Sequence, residues 1–350
     1  MQIKKIIISL IGFCLVILSG WAWISQSIIP STQFTAENLG IIVNEADPLS
    51  VQIGDYYQRQ RSVPEANVIK ISFPPQQVEL TAEKFKALKA IVDQKTPSRV
   101  EGYVLTWTVP YRVSCMSITS AFAFGFNPSF CADGCGETAV NPYFNQKTIH
   151  PYRDFKVRPT MMLAATTFAQ AKQLIDRGVN SDNTFPKGTG YLMDTTDADR
   201  NVRSQFYKSI QTLLNHRFSI DVVKGNTLEN KTDVMFYFTG LANVDKLDTL
   251  QFRPGAIADH LTSWGGQLID SSQMSSLRWL EAGATGSYGT VVEPCNYLQK
   301  FPYPGIVIEN YLNGNTLLES YWRSVPWPGQ GVFIGEPLAR PFGLTLWQGL

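Results

Sequence analysis

The sequence predicts a three-layer α/β protein: a mainly parallel sheet with helices on both faces. Two observations carry this. Short apolar runs ending in turn residues alternate with helix-period stretches through most of the chain. The first such unit, an apolar run over 39–43, a helix from Pro48 and a second run over 67–71, is a βαβ unit, which calls for parallel strands and a right-handed crossover.

The composition agrees. Of 350 residues, 44% are hydrophobic and 17% charged, with a net charge of +1. That suffices for one large α/β domain and gives no electrostatic reason to expect nucleic acid as a partner. No proline- or serine-rich linker interrupts the chain after residue 39, so 39–349 reads as a single domain. Before it, Lys4 and Lys5 precede an apolar run over 6–18 and the small residues Ser19, Gly20 and Ala22. This is the pattern of an export signal over 1–22; the competing reading is an uncleaved membrane anchor to about residue 24. Both place the remainder outside the cytoplasm, periplasmic, extracellular or held at the outer face of the inner membrane, with membrane contact only through that segment.

In chain order, the run over 39–43 ends at Asn44, and Asp47 caps a helix with Pro48 at its first position. A helix from Thr81 carries Phe85, Leu88, Ile91 and Val92 on one face, and a strand over 100–109 leads into Pro110, Tyr111 and Arg112. Residues 113–150 break the rhythm as a long aromatic loop bearing three cysteines; such loops are functional or tied down. A strand over 161–165 and a helix from Thr167, capped at Gly178, follow. The strand over 190–193 ends at Asp194, in an acidic turn where Asp194, Asp197 and Asp199 are weak calcium ligands and Asp199 doubles as a helix cap. Beyond a helix to His216, strands are expected over 220–223, 233–238, 255–258, 290–292 and 331–335, with a last helix over 315–324.

Apart from Cys14 in the leader, there are four cysteines: Cys115, Cys131, Cys135 and Cys295. An even number in an oxidising compartment implies two disulfides with three possible pairings. Cys131 and Cys135 flank a turn, so a local bridge between them is expected, leaving Cys115 with Cys295. A zinc site from Cys115, Cys131, Cys135 and His150 matches no standard spacing, and no cofactor is expected.

The chemistry is sparse. Gly283, Gly286 and Gly289 lack the spacing of a dinucleotide fingerprint, and Ser287 is not in a nucleophile elbow. Of three histidines, His260 beside Asp259 lies where an open α/β sheet presents a site, at a strand's carboxyl end. Alternation along the strand sends Asp259 and His260 to opposite faces. Asp259, His260 and Cys295 are therefore the catalytic candidates. Asn44, Asp47, Tyr111, Arg112, Asp194 and Tyr288 are the candidates for ligand binding.

Several phrases together carry a resemblance: Val43-Asn-Glu-Ala-Asp-Pro-Leu-Ser50, Pro110-Tyr-Arg112, Ser120-Ala-Phe-Ala-Phe-Gly125, Pro254-Gly-Ala-Ile-Ala-Asp-His-Leu-Thr-Ser263, Gly283-Ala-Thr-Gly-Ser-Tyr-Gly289, Gln299-Lys-Phe-Pro302 and Gly335-Glu-Pro-Leu-Ala-Arg-Pro341. With these the chain resembles an uncharacterised exported bacterial family that co-occurs with exosortase, the sorting system for surface proteins. More distantly it is similar to gingipain- and caspase-type cysteine peptidases. Those place a Gly-His-Gly turn after one strand and a cysteine after the next; here the positions read Gly240-Leu241-Ala242 and Asp259. The resemblance implies an exported accessory or binding protein on a peptidase-like scaffold without the Cys/His dyad, linked to surface-protein sorting or extracellular polysaccharide assembly. Two alternatives stand beside it. One is a hydrolase with a site rebuilt from Asp259, His260 and Cys295; the other is a polysaccharide-binding protein using the aromatic loop and Trp327.

Overall fold

A computed structural model describes residues 33–132 and 135–343; the expected export signal lies outside them. The strands are β1 (Leu39–Asn44), β2 (Val68–Ile71), β3 (Glu79–Leu80), β4 (Gly102–Leu105), β5 (Arg112–Val113), β6 (Met116–Ser117), β7 (Thr160–Met162), β8 (Thr189–Asp194), β9 (Ser219–Lys224), β10 (Val234–Thr239), β11 (Phe252–His260), β12 (Gly286–Thr290) and β13 (Gly331–Gly335). The helices are α1 (Pro48–Arg61), α2 (Ala82–Lys95), α3 (Ile118–Phe124), α4 (Pro151–Phe155), α5 (Phe168–Ser181), α6 (Tyr207–Leu214), α7 (Leu277–Ala282), α8 (Pro304–Leu312) and α9 (Leu317–Trp322).

Ten strands form one sheet in the order β2-β1-β4-β7-β13-β12-β11-β10-β8-β9, while β3, β5 and β6 make a small second sheet. All neighbours in the large sheet are parallel except β12 and β13, which pair antiparallel from Gly286 opposite Gly335 to Thr290 opposite Gly331. The sheet is thus two parallel halves of opposite sense joined at a single seam. The strand ends at Asn44 and at Asp194, Thr239 and His260 therefore lie on opposite edges, a division the sequence does not announce.

Helices cover both faces. In β10 the consecutive residues Phe236 and Tyr237 point opposite ways, Phe236 to Tyr311 of α8 and Tyr237 to Trp279 of α7. In the other half, Thr106 meets Ser50 of α1 at 2.7 Å and Trp107 meets Phe122 of α3. From Phe34 on, the described chain belongs to one compact unit. No helix among the described residues is long and apolar enough to cross a membrane.

Local signals explain most elements. Asp47 accepts from the Leu49 amide and Pro48 opens α1; Thr81 and Thr167 cap α2 and α5. Three expectations need correction. The stretch 113–150 is not all loop: α3 lies inside it, buried at every position but Phe124, so it shows no polar face by which periodicity could find it. Gly178 is not a helix cap, because α5 continues to Ser181. A Cβ at Gly178 would stand 2.6 Å from Glu336, whose buried carboxylate binds Tyr57 and Arg61 of α1. The strand expected over 290–292 runs instead over the glycine-rich Gly286–Thr290, where a Cβ at Gly286 would meet Leu317 at 2.6 Å.

Candidate functional site

The carboxyl edge of the β8–β12 half gathers most of the predicted chemistry. Parallel register sets Phe238 beside Asp259 and Thr239 beside His260, and alternation sends the last two side chains of β11 apart.

His260 is fully committed. Its Nδ1 lies 2.9 Å from Trp279 Nε1 and its Nε2 lies 2.9 Å from the Met274 carbonyl oxygen. An indole N–H only donates, so Nδ1 accepts, and Nε2 must carry the proton and donate to Met274. Burial holds the ring's pKa down at about 4. The imidazole is therefore neutral near pH 7 with no free lone pair, and cannot take a proton from a substrate.

Asp259 faces the other way, into a polar island. Its Oδ1 accepts from Arg203 Nη1 at 2.6 Å, and both side chains are 2% exposed. Arg203 Nη2 donates to the Thr239 carbonyl at 2.7 Å, and its guanidinium lies 5.5 Å from the Phe238 ring centre. Burial pushes the Asp259 carboxyl above its usual range, against the pull of Arg203. Tyr207, Tyr288 and Tyr321, all buried, enclose the pair, and the Asp259 charge helps hold the Tyr288 and Tyr321 hydroxyls protonated. Among the described residues, Asp259 Oδ2, Arg203 Nε and the Tyr321 hydroxyl have no hydrogen-bond partner.

Just past the end of β10, Gly240 packs under the backbone of Arg200. A Cβ there would lie 2.0 Å from the Arg200 carbonyl oxygen. Arg200 is held by Asp197 at 3.0 Å and by the Thr262 hydroxyl at 3.2 Å. Beside it opens a polar cleft of about 290 Å³, lined by Asp199, Arg200, Thr262, Ser263, Glu293, Cys295 and Asn296.

Cys295 offers that cleft no thiol, because it is bridged to Cys135 (Cα–Cα 5.5 Å). The other bridge joins Cys115 to Cys131 (Cα–Cα 5.3 Å). Two disulfides form as the cysteine count implies, but the expected pairing of Cys131 with Cys135 and Cys115 with Cys295 is wrong. Cys115 sits in the tight turn between β5 and β6. The Asn127 amide reaches Met116 Sδ and Phe130 stacks on Phe124 at 4.2 Å, which folds the Cys131 segment back over that turn. With all four cysteines bridged, the zinc alternative loses its thiolates, and His150 lies instead 3.3 Å from Glu101.

The remaining candidates are dispersed and engaged. Asn44 ties the end of β1 to Phe73 through both its amide atoms, and Asp47 caps α1, on the opposite edge of the sheet. Tyr111 donates to Asp270 at 2.6 Å, and Arg112 pairs with Glu79 at 2.6 Å. Tyr288 donates to the Lys300 carbonyl at 2.5 Å. Asp194 accepts from Asn201, whereas Asp197, not Asp199, caps the following turn. Among the described residues no three His, Cys, Asp or Glu side chains come together as metal ligands. Of the aromatics of the 113–150 stretch, Phe122, Phe130 and Tyr143 are buried, while Phe124, Phe126 and Phe144 are half-buried.

Arg203 is the site residue the sequence reading missed. Its signal was there: Arg203, Tyr207, Ile210 and Leu214 recur at helical spacing, so a cation stands on an otherwise apolar stripe.

No family model and no curated protein matches the chain. Among solved structures it is similar to the complex of the pro- and mature domains of RgpB from Porphyromonas gingivalis, at 9% identity and a TM-score of 0.42, covering 87% of this chain and 79% of that one. A likeness at that level carries no argument about activity; the fold rests on the sheet topology itself.

Proposed function

We propose that the protein is an exported accessory or binding component acting in surface-protein sorting or extracellular polysaccharide assembly, built on a peptidase-like scaffold but not itself a peptidase. One observation supports this above others: every candidate catalytic group is already engaged. His260 has both nitrogens bonded, Asp259 is locked to Arg203, and Cys295 is in a disulfide. A covalent mechanism requires a nucleophile and a base within hydrogen-bond reach of each other, and none of the three is free to serve. A carboxylate is in any case a poor nucleophile towards an amide, because the anhydride it forms expels carboxylate more readily than amine. The link to sorting rests on the shared sequence phrases, and the polar cleft beside Arg200 is the place where a partner's chain would bind.

The test is a peptide-library digest with purified protein, run oxidised and reduced, beside Cys295→Ala and His260→Ala. No cleavage is expected in any arm. Cleavage by the wild type that either substitution abolishes would overturn the reading. For the accessory role, an in-frame deletion in a host carrying exosortase should impair surface display of its sorted proteins; unchanged display would sink that part alone.

A further inference from the structure

One wall of the polar cleft beside Arg200 is a loop, which lines it with Glu293, Cys295 and Asn296. Two anchors frame that loop. At one end Gln330 Nε2 donates to the Glu293 carbonyl at 2.8 Å; at the other the Tyr297 ring packs on Trp327 at 5.7 Å. Between them, among the described residues, 294–296 make a single hydrogen bond, from the Cys295 amide to Glu293 Oε1 at 2.7 Å, within the loop itself. Apart from the burial of Pro294, the disulfide to Cys135 is what ties this wall to the rest of the molecule. The far end of the bridge is as lightly held. Cys135 is exposed, and 135–138 make no hydrogen bond among the described residues; the next anchor is the Ala139 amide on the Ser129 carbonyl at 2.7 Å. Cys295 also has a φ of 53°, in the left-handed region that a residue with a Cβ enters only under constraint. The second bridge differs on each count. Cys115 and Cys131 are half-buried in backbone that other bonds hold: the Ser114 amide donates to the Leu80 carbonyl at 3.1 Å, the Cys131 amide to the Pro128 carbonyl at 3.0 Å, and Phe130 stacks on Phe124.

Exposed and strained disulfides are the ones that thiols reach and open, whereas packed ones resist. We propose that the Cys135–Cys295 bridge is a redox latch on the cleft, which a dithiol reductant opens and reoxidation closes. The reductant's thiolate attacks the Cys135 sulfur and expels Cys295 as a thiolate, which takes up a proton. The reductant's second thiol then displaces Cys135 from the mixed disulfide, so two electrons and two protons pass to the cysteines and the reductant leaves as a disulfide. With the tie gone, Cys295 leaves its left-handed conformation and 293–297 swings away from Asp199 and Arg200, so the cleft loses a wall while the sheet stays as it is. The role as a switch rests on the reading of this cleft as the place where a partner's chain binds.

The experiment titrates the folded, full-length protein with dithiothreitol, labels free thiols with a maleimide and maps the labelled cysteines by mass spectrometry. Cys135 and Cys295 are expected to label at about tenfold less reductant than Cys115 and Cys131. Chymotrypsin added at that point should cut after Tyr297 about tenfold faster than in the oxidised protein. Reoxidation should restore resistance, and full-length Cys135→Ser/Cys295→Ser should be cut at the fast rate without reductant. Oxidised Cys115→Ser/Cys131→Ser should stay resistant. Labelling of Cys115 and Cys131 together with the other pair, or before it, would overturn the latch. So would a Tyr297 site equally resistant with the 135–295 bridge open and closed. If either serine variant fails to fold, the wild-type titration decides alone, since it starts from folded protein. None of these arms contains a partner, so a failed latch leaves the reading of the cleft standing. Unchanged surface display on deletion sinks that reading and leaves the latch.

Discussion

Arg203→Met should give the protein a pH-dependent instability relative to the wild type. In the wild type the guanidinium offsets the burial of Asp259 at 2.6 Å. Without it the carboxyl stays buried only by keeping a proton. Holding a carboxyl protonated above its ordinary range costs about 1.4 kcal/mol per pH unit, so the ceiling near pH 7 is about 4 kcal/mol. The sign follows from a folded-state pKa raised above the unfolded one: the penalty is absent at acid pH and grows as pH rises. Arg203→Met is therefore most nearly tolerated near pH 4 and worst at neutrality. Asp259→Asn behaves differently, because a guanidinium cannot lose its proton. It leaves a buried cation with the Thr239 carbonyl as its close partner, at a cost of roughly 3–5 kcal/mol at every pH. The double variant Arg203→Met/Asp259→Leu should recover much of either loss, since a buried pair removed whole is often nearly neutral. Urea unfolding followed by tryptophan fluorescence, from about pH 4 to about pH 8, measures all four proteins. A neutral-pH loss under about 1 kcal/mol in both single variants, or an Arg203→Met penalty equal at both ends of the range, would refute the account.

His260 adds an acid limb of its own. With its folded pKa held at about 4 and an unfolded value of 6.5, only the unfolded chain takes up a proton between them, so stability should fall by roughly 3 kcal/mol as pH drops through that window. His260→Ala should flatten this limb while losing about 2 kcal/mol at neutral pH, through a cavity and an orphaned Trp279 N–H; an unchanged limb would count against the assignment. Peptide mapping without reduction should recover 115–131 and 135–295 linkages, and Cys135→Ala with Cys295→Ala should cost about 2–5 kcal/mol, given the 160 residues the bridge closes. Gly240→Ala should force the Arg200 segment off the sheet edge, costing about 1–3 kcal/mol and opening 195–206 to proteolysis; a protease-resistant variant of wild-type stability would contradict the packing described.

The alternation of strands and helices was legible because it is written in short-range pattern: apolar runs and the helix starts at Asp47, Thr81 and Thr167. The opposed sense of the two half-sheets was not. Strands buried on both faces read as continuous apolar runs whichever way they pair, and the seam strand β12 is a glycine-rich Gly286–Thr290 stretch that hides its own character. At the site, alternation alone separated Asp259 from His260. Their true partners, Arg203 and Trp279, arrive from 56 residues before and 19 residues after, a tertiary fact no local spacing encodes. The cysteines show the same limit: proximity along the chain favoured Cys131 with Cys135, while the β5–β6 turn and the aromatic stack chose otherwise.

The seam also sets the order in which the molecule can be completed. Strand β13 sits at the middle of the sheet, between β7 and β12, yet among the described residues it is the last strand in chain order and so the last of the ten to be synthesised. Until it emerges, each half carries an unfinished border, β7 on one side and β12 on the other, with bare amide and carbonyl rows available to any stray strand. The central pairing closes late and over long sequence distances, which slows folding and leaves the nascent chain exposed to mispairing. A chain cut before Gly331 would be two separate half-sheets looking for a common partner.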